Sequence, residues 1–318
     1  MFRIKHDRKP VSNGASPKGN SNNCGGKVLY KLSPMQHAPK QYVYTLITGA
    51  SSGLGKALAF ECASRNMNLI LVALPHDGLS EVQQELLEKF SVKIRIYEID
   101  LADTLLFHDF IDTVQYLQID CIINNVGVGG TLKFKDALED DINKIIDLNV
   151  RTTSLVTYHI LPELIRQREA HIINIGSLLA GYPVAYKTVY PASKSFVYSF
   201  SLGLQEELKG TSVYVSVALP GPMKTNPEVS CRLMKKQGRL AKAAVLSPQD
   251  VAKIIMDESF RYRSLIIPGW VNKLYWFVMK IVPLRFGVPF LSDIYRKELP
   301  QLPQEPVVGQ KELLRREV

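Results

Sequence analysis

Thr48-Gly49-Ala50-Ser51-Ser52-Gly53-Leu54-Gly55 decides how this chain is read. It follows a β-branched and aromatic run, YVYTLIT (42–48), and opens the helical pattern LGKALAFECASRN. A reversal between strand and helix needs residues without a Cβ clash. Bare N–H groups at the helix start can then approach a pyrophosphate. Glycines in isolation only make turns; in this strand–turn–helix setting they point to a dinucleotide site.

Outward from that turn, LILVAL (69–74), IRIYEI (94–99), CIIN (121–124), HIINIG (171–176) and VYVSVAL (213–219) repeat the character of the first run. Near-continuous apolar runs suit strands buried on both faces of a parallel sheet. Between them lie helical patterns such as GLSEVQQELLEKF, LFHDFIDTVQYL and DDINKIIDLNVRTTSLVTYHILPELIRQ. The alternation predicts a doubly wound, mostly parallel α/β sheet with helices on both faces and ligands at the carboxyl ends of the strands.

The 318 residues are 46% hydrophobic and 22% charged, which excludes a disordered or collagen-like chain. The formal charge is +9, but residues 1–40 hold eight basic residues against the single acid Asp7. The rest of the chain is close to neutral and gives no case for a nucleic-acid partner. SNGASPKGNSNNCGG within the first 40 residues has almost nothing to bury, so a flexible basic tail is expected there. Cys24, Cys62, Cys121 and Cys231 are scattered without metal-ligand spacing, so free thiols and no metal site are expected. Neither a secretory apolar run nor the roughly 20 apolar residues of a membrane span is present, which predicts a cytoplasmic protein.

Further motifs keep a fixed order. Asn124-Asn125-Val126-Gly127 follows the fourth strand run, Asn149 lies in the long helical pattern, and Ser177 closes NIGS. Tyr190-Pro191-Ala192-Ser193-Lys194 comes thirteen residues after that serine, and Pro220-Gly221 precedes Thr225. With the TGxxxGxG turn, this set resembles the short-chain dehydrogenase/reductase family over residues 41–268, with Val126 where the family usually has alanine. The resemblance implies a Rossmann-type domain over 41–268 and an extension over 269–318.

The chemistry of the Tyr–Lys pair can be argued first from the residues. Tyr190 and Lys194 are four apart, so a helix sets them on one face. An unperturbed tyrosine, near about 10, is a poor acid/base at neutrality, and a neighbouring ammonium lowers its pKa. The resemblance then implies Tyr190 as general acid/base. Lys194 tunes it and bonds a nicotinamide ribose; Ser177 orients a carbonyl; Asn149 holds a water that relays protons past Lys194. For the dinucleotide it implies Gly49, Ser51, Ser52, Gly53, Leu54 and Gly55 at the phosphates and Asp100 and Leu101 at the adenine. Asn125, Pro220 and Gly221 complete the cofactor set, with Thr225 at the carboxamide. A competing reading of Asp100 is a cap on the next helix.

The cofactor markers are mixed. NAD-preferring members carry an acid at the end of the second strand; here Ala73 and Leu74 stand there, followed by Pro75 and His76. The basic residues usual for NADP are also missing, since Leu74 and Ser52 occupy their places. Without the acid, a 2′-phosphate is not repelled, and Ser51, Ser52 and His76 can donate to it; NADP is favoured over NAD. Asp77 is the residue that argues the other way.

On the substrate side, Val128, Leu178, Leu179, Tyr182, Tyr186 and Met223 predict an apolar, aromatic pocket. Ser177, Leu179, Tyr190 and Met223 are the expected substrate contacts. The segment after Thr225 carries Arg232, Lys235, Lys236, Arg239 and Lys242 with only Glu228 as an acid: a lid that guides an anion, or a solvated helix face. WVNKLYWFVMKIVPLRF (270–286) mixes aromatics with Lys273, Lys280 and Arg285. It suits core or subunit packing, a wall for an acyl chain, or peripheral contact with a membrane. Together these features predict an NAD(P)-dependent oxidoreductase for a lipophilic ketone or alcohol, such as a 3-oxoacyl, 3-keto sphingoid or steroid compound. The alternatives are a nucleotide-sensing protein without turnover, which usually lacks the Tyr or Lys, and a sugar-nucleotide epimerase or dehydratase, which usually shows TGxxGxxG. By resemblance, a homodimer or homotetramer is expected.

Overall fold

The computed structural model describes residues 42–223, 243–297 and 299. Expectations placed on residues 1–40, on Thr225, on the basic segment through 242 and on the tail beyond 299 fall outside them. The apolar runs become β1 (Val43–Thr48), β2 (Asn68–Ala73), β3 (Ile94–Glu98), β4 (Gln118–Asn124), β5 (Ala170–Ile175) and β6 (Val213–Ala218). A two-residue strand, β7 (Leu265–Ile266), is one the sequence reading did not anticipate. Among the described residues these form one parallel sheet of seven strands in the order β3-β2-β1-β4-β5-β6-β7. The order reverses between β1 and β4, so the crevice for a ligand opens where Thr48 and Asn124 end their strands.

Helices cover both faces. On one, α1 (Gly53–Ser64), α2 (Leu79–Lys89) and α7 (Pro248–Ser259) pack Leu58, Leu86 and Ile255 against Ile47, Leu71 and Ile123. On the other, α3 (Thr104–Val114) and α5 (Thr153–Arg166) pack Phe107, Val156 and Ile160 against Leu46, Ile70 and Ile122. The successive residues of β1 and β2 point to opposite faces and are buried on both, which is why their runs are mostly apolar.

Two features set the site. The helical pattern over 140–167 is not one α-helix. α4 (Glu139–Ile146) leads into a π-helical turn (Asp147–Thr152) before α5, which places Asn149 where the helix widens. Buried amides also tie the sheet to its helices. Asn124 donates to Thr157 (3.0 Å) and to Asn174 Oδ1 (2.8 Å), and Asn174 donates to Ser201 of α6 (Val189–Glu207). Because these amides sit in a dry interior, their partners fix how α5 and α6 stand over β4 and β5.

After β7, α8 (Trp270–Ile281) and α9 (Leu284–Arg296) close the described chain. Trp276 of α8 is buried with Leu178, Val197 and Leu219, so part of the extension is core.

Candidate active site

The glycine turn is held by backbone. Gly49 (φ +67°) and Gly53 (φ +53°) are left-handed, the region that favours glycine. A Cβ on Gly55 would run into the Gly49 carbonyl and come within 2.6 Å of Asn125 Nδ2. Asn125 reaches across from the end of β4 and donates to the carbonyls of Thr48 (3.0 Å) and Gly49 (2.9 Å). Its own N–H bonds Thr48 Oγ1. Ser52, at the N-cap of α1, makes no side-chain cap bond, so the first N–H groups of α1 have no side-chain acceptor there. Left-handed glycines, a cradle that a Cβ would fill and an uncapped helix start fit a dinucleotide pyrophosphate.

Other expected contacts around that turn are redistributed. Asp100 lies two residues beyond the end of β3 and accepts from the Ala102 N–H (2.9 Å). The cap of α3 is Asp103, which accepts from Leu105 and Leu106, so the capping alternative for Asp100 is set aside. Leu101 is buried among Phe107, Ile111 and Leu148. Leu54 lines the cavity beyond the turn. Ser51 donates to Asp77 Oδ2 at 2.9 Å, which brings a carboxylate to the glycine turn.

Three of the four polar residues expected to carry the chemistry, Ser177, Tyr190 and Lys194, converge on one cavity of about 830 Å³, and Asn149 does not line it. Tyr190 in the first turn of α6 and Ser177 at the end of β5 share a hydrogen bond. Burial pushes the Tyr190 phenol upward, and the Ser177 bond works against that. The phenol is therefore a proton holder at neutral pH in this state. Lys194, one turn on, is buried and donates to the Ile175 carbonyl (2.9 Å), with its Nζ 5.9 Å from the centre of the Tyr190 ring. Desolvation pulls the Lys194 ammonium down to about 8. No direct bond joins Lys194 to Tyr190; any influence is through space.

Asn149 is fully buried, and both amide N–H groups are spent, on the Val128 carbonyl (3.0 Å) and on Ser193 Oγ (2.8 Å). Its Oδ1 accepts from the Val128 N–H. No amide N–H is left for the expected water. Ser193 passes the link on by donating to the Tyr190 carbonyl (2.8 Å), so Asn149 clamps the loop after Gly127 to the helix that carries Tyr190. The backbone here is bare by necessity: a Cβ on Gly127 would lie 2.6 Å from Asn149 Oδ1, and one on Gly129 would lie 2.6 Å from the Tyr190 ring.

Val128, Leu178, Leu179 and Met223 line the cavity as expected from the sequence, and Pro220 and Gly221 form its floor. Tyr182 and Tyr186 do not line it. Tyr182 is buried against Met279 and Leu291 and donates to the Pro283 carbonyl (3.0 Å), so it serves the joint between α8 and α9. Tyr186 (φ +66°) accepts from Arg296 at 3.1 Å. In their place come Tyr275, Leu291 and Ile294 from the extension. Asn272, also missed, donates to the Ala244 (3.1 Å) and Pro268 (2.8 Å) carbonyls under Gly221. No local pattern in IIPGWVNK announces its place under Gly221, since Gly221 and Ala244 are distant in sequence.

Known proteins share sequence and fold with this chain. Very-long-chain 3-oxoacyl-CoA reductase from Rattus norvegicus is 33% identical over 187 residues, covering 57% of this chain and 60% of that protein. 17-beta-Hydroxysteroid dehydrogenase type 3 from Homo sapiens is 29% identical over 198 residues, covering 62% of this chain and 64% of that protein. The chain thus spans less than two thirds of the curated relatives it matches. A short-chain dehydrogenase from Sphingobium yanoikuyae, solved with NADPH, superposes with a TM-score of 0.66 at 24% identity, over 75% of this chain and 92% of that one. The family described as short chain dehydrogenase matches residues 44–236, the span that holds the glycine turn, Asn149, Ser177, Tyr190 and Lys194. With more than half its length matched and Ser177, Tyr190 and Lys194 around one cavity, the chain belongs to the short-chain dehydrogenase family.

Proposed function

We propose that this protein is a nicotinamide-dependent oxidoreductase that interconverts a lipophilic ketone and its secondary alcohol. The observation that carries this reading is the convergence of Ser177, Tyr190 and buried Lys194 on a cavity that runs to the glycine turn. A bound nicotinamide dinucleotide supplies the hydride for reduction and accepts it for oxidation. Tyr190 holds the proton at Oη and delivers it to the substrate oxygen as that oxygen gains charge. Ser177 Oγ orients the same oxygen, and the Lys194 ammonium steadies the phenolate left behind. Gly49, Ser51, Ser52, Gly53, Leu54, Gly55 and Asn125 would hold the pyrophosphate side, with Asp100 and Leu101 toward the adenine. Pro220 and Gly221 would face the nicotinamide side.

Leu179, Met223, Tyr275 and Ile294 around the cavity support a lipophilic substrate, and so do the names of the relatives. Among the substrate classes, a 3-oxoacyl compound fits the rat relative and a steroid fits the human one. Between the two cofactors, the missing acid at the end of β2 favours NADP, whereas the Ser51–Asp77 bond favours NAD by occupying a donor and adding negative charge.

The test is titration of the full chain with NADPH and NADH by nicotinamide fluorescence, then turnover on 3-oxoacyl thioesters, 3-ketosphinganine and steroids. Tight binding with oxidation by one substrate class supports the reading and names the class. Binding without turnover on a broad ketone panel removes the enzymatic reading in favour of a sensor.

A further inference from the structure

The C-terminal helical pair carries two apolar faces, and the described structure uses one. Inward, Trp276 and Met279 of α8 are buried, and Tyr275 of α8 and Leu291 and Ile294 of α9 line the cavity. Outward, Trp270, Leu274, Phe277 and Ile281 recur at the spacing of a single helical stripe, and each is more than half exposed. Leu284, Phe286 and Phe290 continue the series into α9, again more than half exposed. A helix apolar all round is ordinarily a buried helix. Exposed apolar side chains gathered on one element mark a surface made to be covered.

The charges around the stripe identify the cover. On a helical projection Lys273 and Lys280 fall together along one border of the stripe, and Arg285 follows at the start of α9. α8 holds no acid. The acid of α9, Asp293, is paired with Arg296 at 3.2 Å. A second copy on this face would bring cation against cation with no carboxylate to answer them, and interface cores are depleted in lysine. An anionic bilayer answers both features. Aromatic and aliphatic side chains enter the acyl boundary while the bordering cations reach lipid phosphates. Among the described residues no helix is long and apolar enough to cross a membrane, so contact is in the plane of the surface.

We propose that the outer face of α8 and α9 docks this protein on an anionic lipid bilayer. The helices that make this face also wall the cavity, so docking sets the cavity close to the lipid. Docking stands whether or not turnover occurs; only entry of a lipid-borne ketone rests on the proposed reaction.

The chain has two tryptophans, which makes the test direct. Trp270 is 66% exposed and Trp276 is 8% exposed. Vesicles of phosphatidylcholine with phosphatidylglycerol should shift the full chain's emission to the blue, and brominated acyl chains should quench it. The response should disappear in Trp270→Phe and weaken with added salt and with phosphatidylcholine alone. Leu274→Ser with Phe277→Ser and Ile281→Ser should weaken vesicle binding by about tenfold or more. Lys273→Gln with Arg285→Gln should weaken it by about tenfold. These residues are exposed, so unchanged melting and nucleotide binding verify the fold of each variant. Co-sedimentation with no change at Trp270 places lipid contact elsewhere, for instance on the basic residues 1–40, and overturns the proposal. A Trp270 emission already blue without lipid, together with a mass that drops in the triple serine variant, gives the face to a second copy and overturns it as well.

Discussion

The two walls of the cavity are built in different ways. The wall toward the glycine turn is backbone against backbone: Gly55 fits beneath the Gly49 carbonyl, and Asn125 seals the pair with bonds to main-chain oxygens. The wall from α8 and α9 is side chain against backbone. Trp276 lies over Gly181, Asn272 under Gly221, and Tyr182 against Gly287. The first wall leaves no freedom in shape and suits a ligand part that never varies. The second is set by the rotamers of side chains packed against Gly181, Gly221 and Gly287.

The largest expected effect falls where the walls meet. Tyr190→Phe removes the hydroxyl shared with Ser177 and leaves the ring against Gly129. Turnover should fall by about 10²–10⁴, the usual range for a lost general acid, while nucleotide affinity stays nearly unchanged. Steady-state kinetics and a fluorescence titration on the same preparation check both. Retained turnover would mean that the proton comes from elsewhere.

Trp276→Ala probes the second wall alone. The indole is buried in a cluster with Leu178, Val197 and Ile267, and its loss should cost about 3–5 kcal/mol in denaturant unfolding. Substrate KM should rise because Leu178 and Tyr275 line the cavity beside the void, and nucleotide affinity should change little. Equal losses for nucleotide and substrate would break the distinction between the walls.

This division also explains what could be read from the sequence. The first wall was legible because it is local. Glycines at fixed spacing, the strand before and the helix after all lie within residues 42–66, and Asn125 is marked by its neighbours. The sheet was legible because buried parallel strands are continuous apolar runs; β7, two residues long, has no such run. Tyr190 and Lys194 were legible as a helical pair. The second wall was not, because α8 meets Gly181 and Gly221, and Gly287 of α9 meets Tyr182, across long sequence separations. For the same reason Tyr182 was expected at the cavity and stands instead at the α8–α9 joint. Asn149 was legible as a position in the family's order, but not as an amide with both N–H groups already committed.

A paired glycine experiment sharpens the contrast. A methyl on Gly55 meets the main-chain carbonyl of Gly49, which cannot move, so Gly55→Ala should cost about 1–3 kcal/mol and about tenfold or more in nucleotide affinity. A methyl on Gly221 meets the Asn272 amide at 2.7 Å, a side chain that yields only by giving up its bonds to Ala244 and Pro268, at about 1–3 kcal/mol. If so, Gly221→Ala and Asn272→Ala are non-additive in a double-mutant cycle, since the second removes what the first collides with. Additive losses would show that Gly221 is constrained by something other than this side chain.

The smallest effect is a slope. Lys194 sits between the walls, pulled down to about 8 by desolvation. Its unfolded value is about 10.4. Below pH 8 both states bind the proton, and the fold carries the full cost of a buried ammonium. Between the folded and unfolded values the unfolded chain binds more protons, so stability rises with pH, by at most about 1.4 kcal/mol per pH unit. The raised Tyr190 pKa has the opposite sign, losing its contribution from about pH 10 upward, so the window to measure is pH 8 to 9.5. Urea unfolding across it should show a steeper rise for the native chain than for Lys194→Met, which keeps the length and removes the charge. Parallel curves would mean that water reaches Lys194 and that the seam between the walls is wet. A steeper native curve means a dry seam around Lys194, whose Nζ lies 5.9 Å from the centre of the Tyr190 ring.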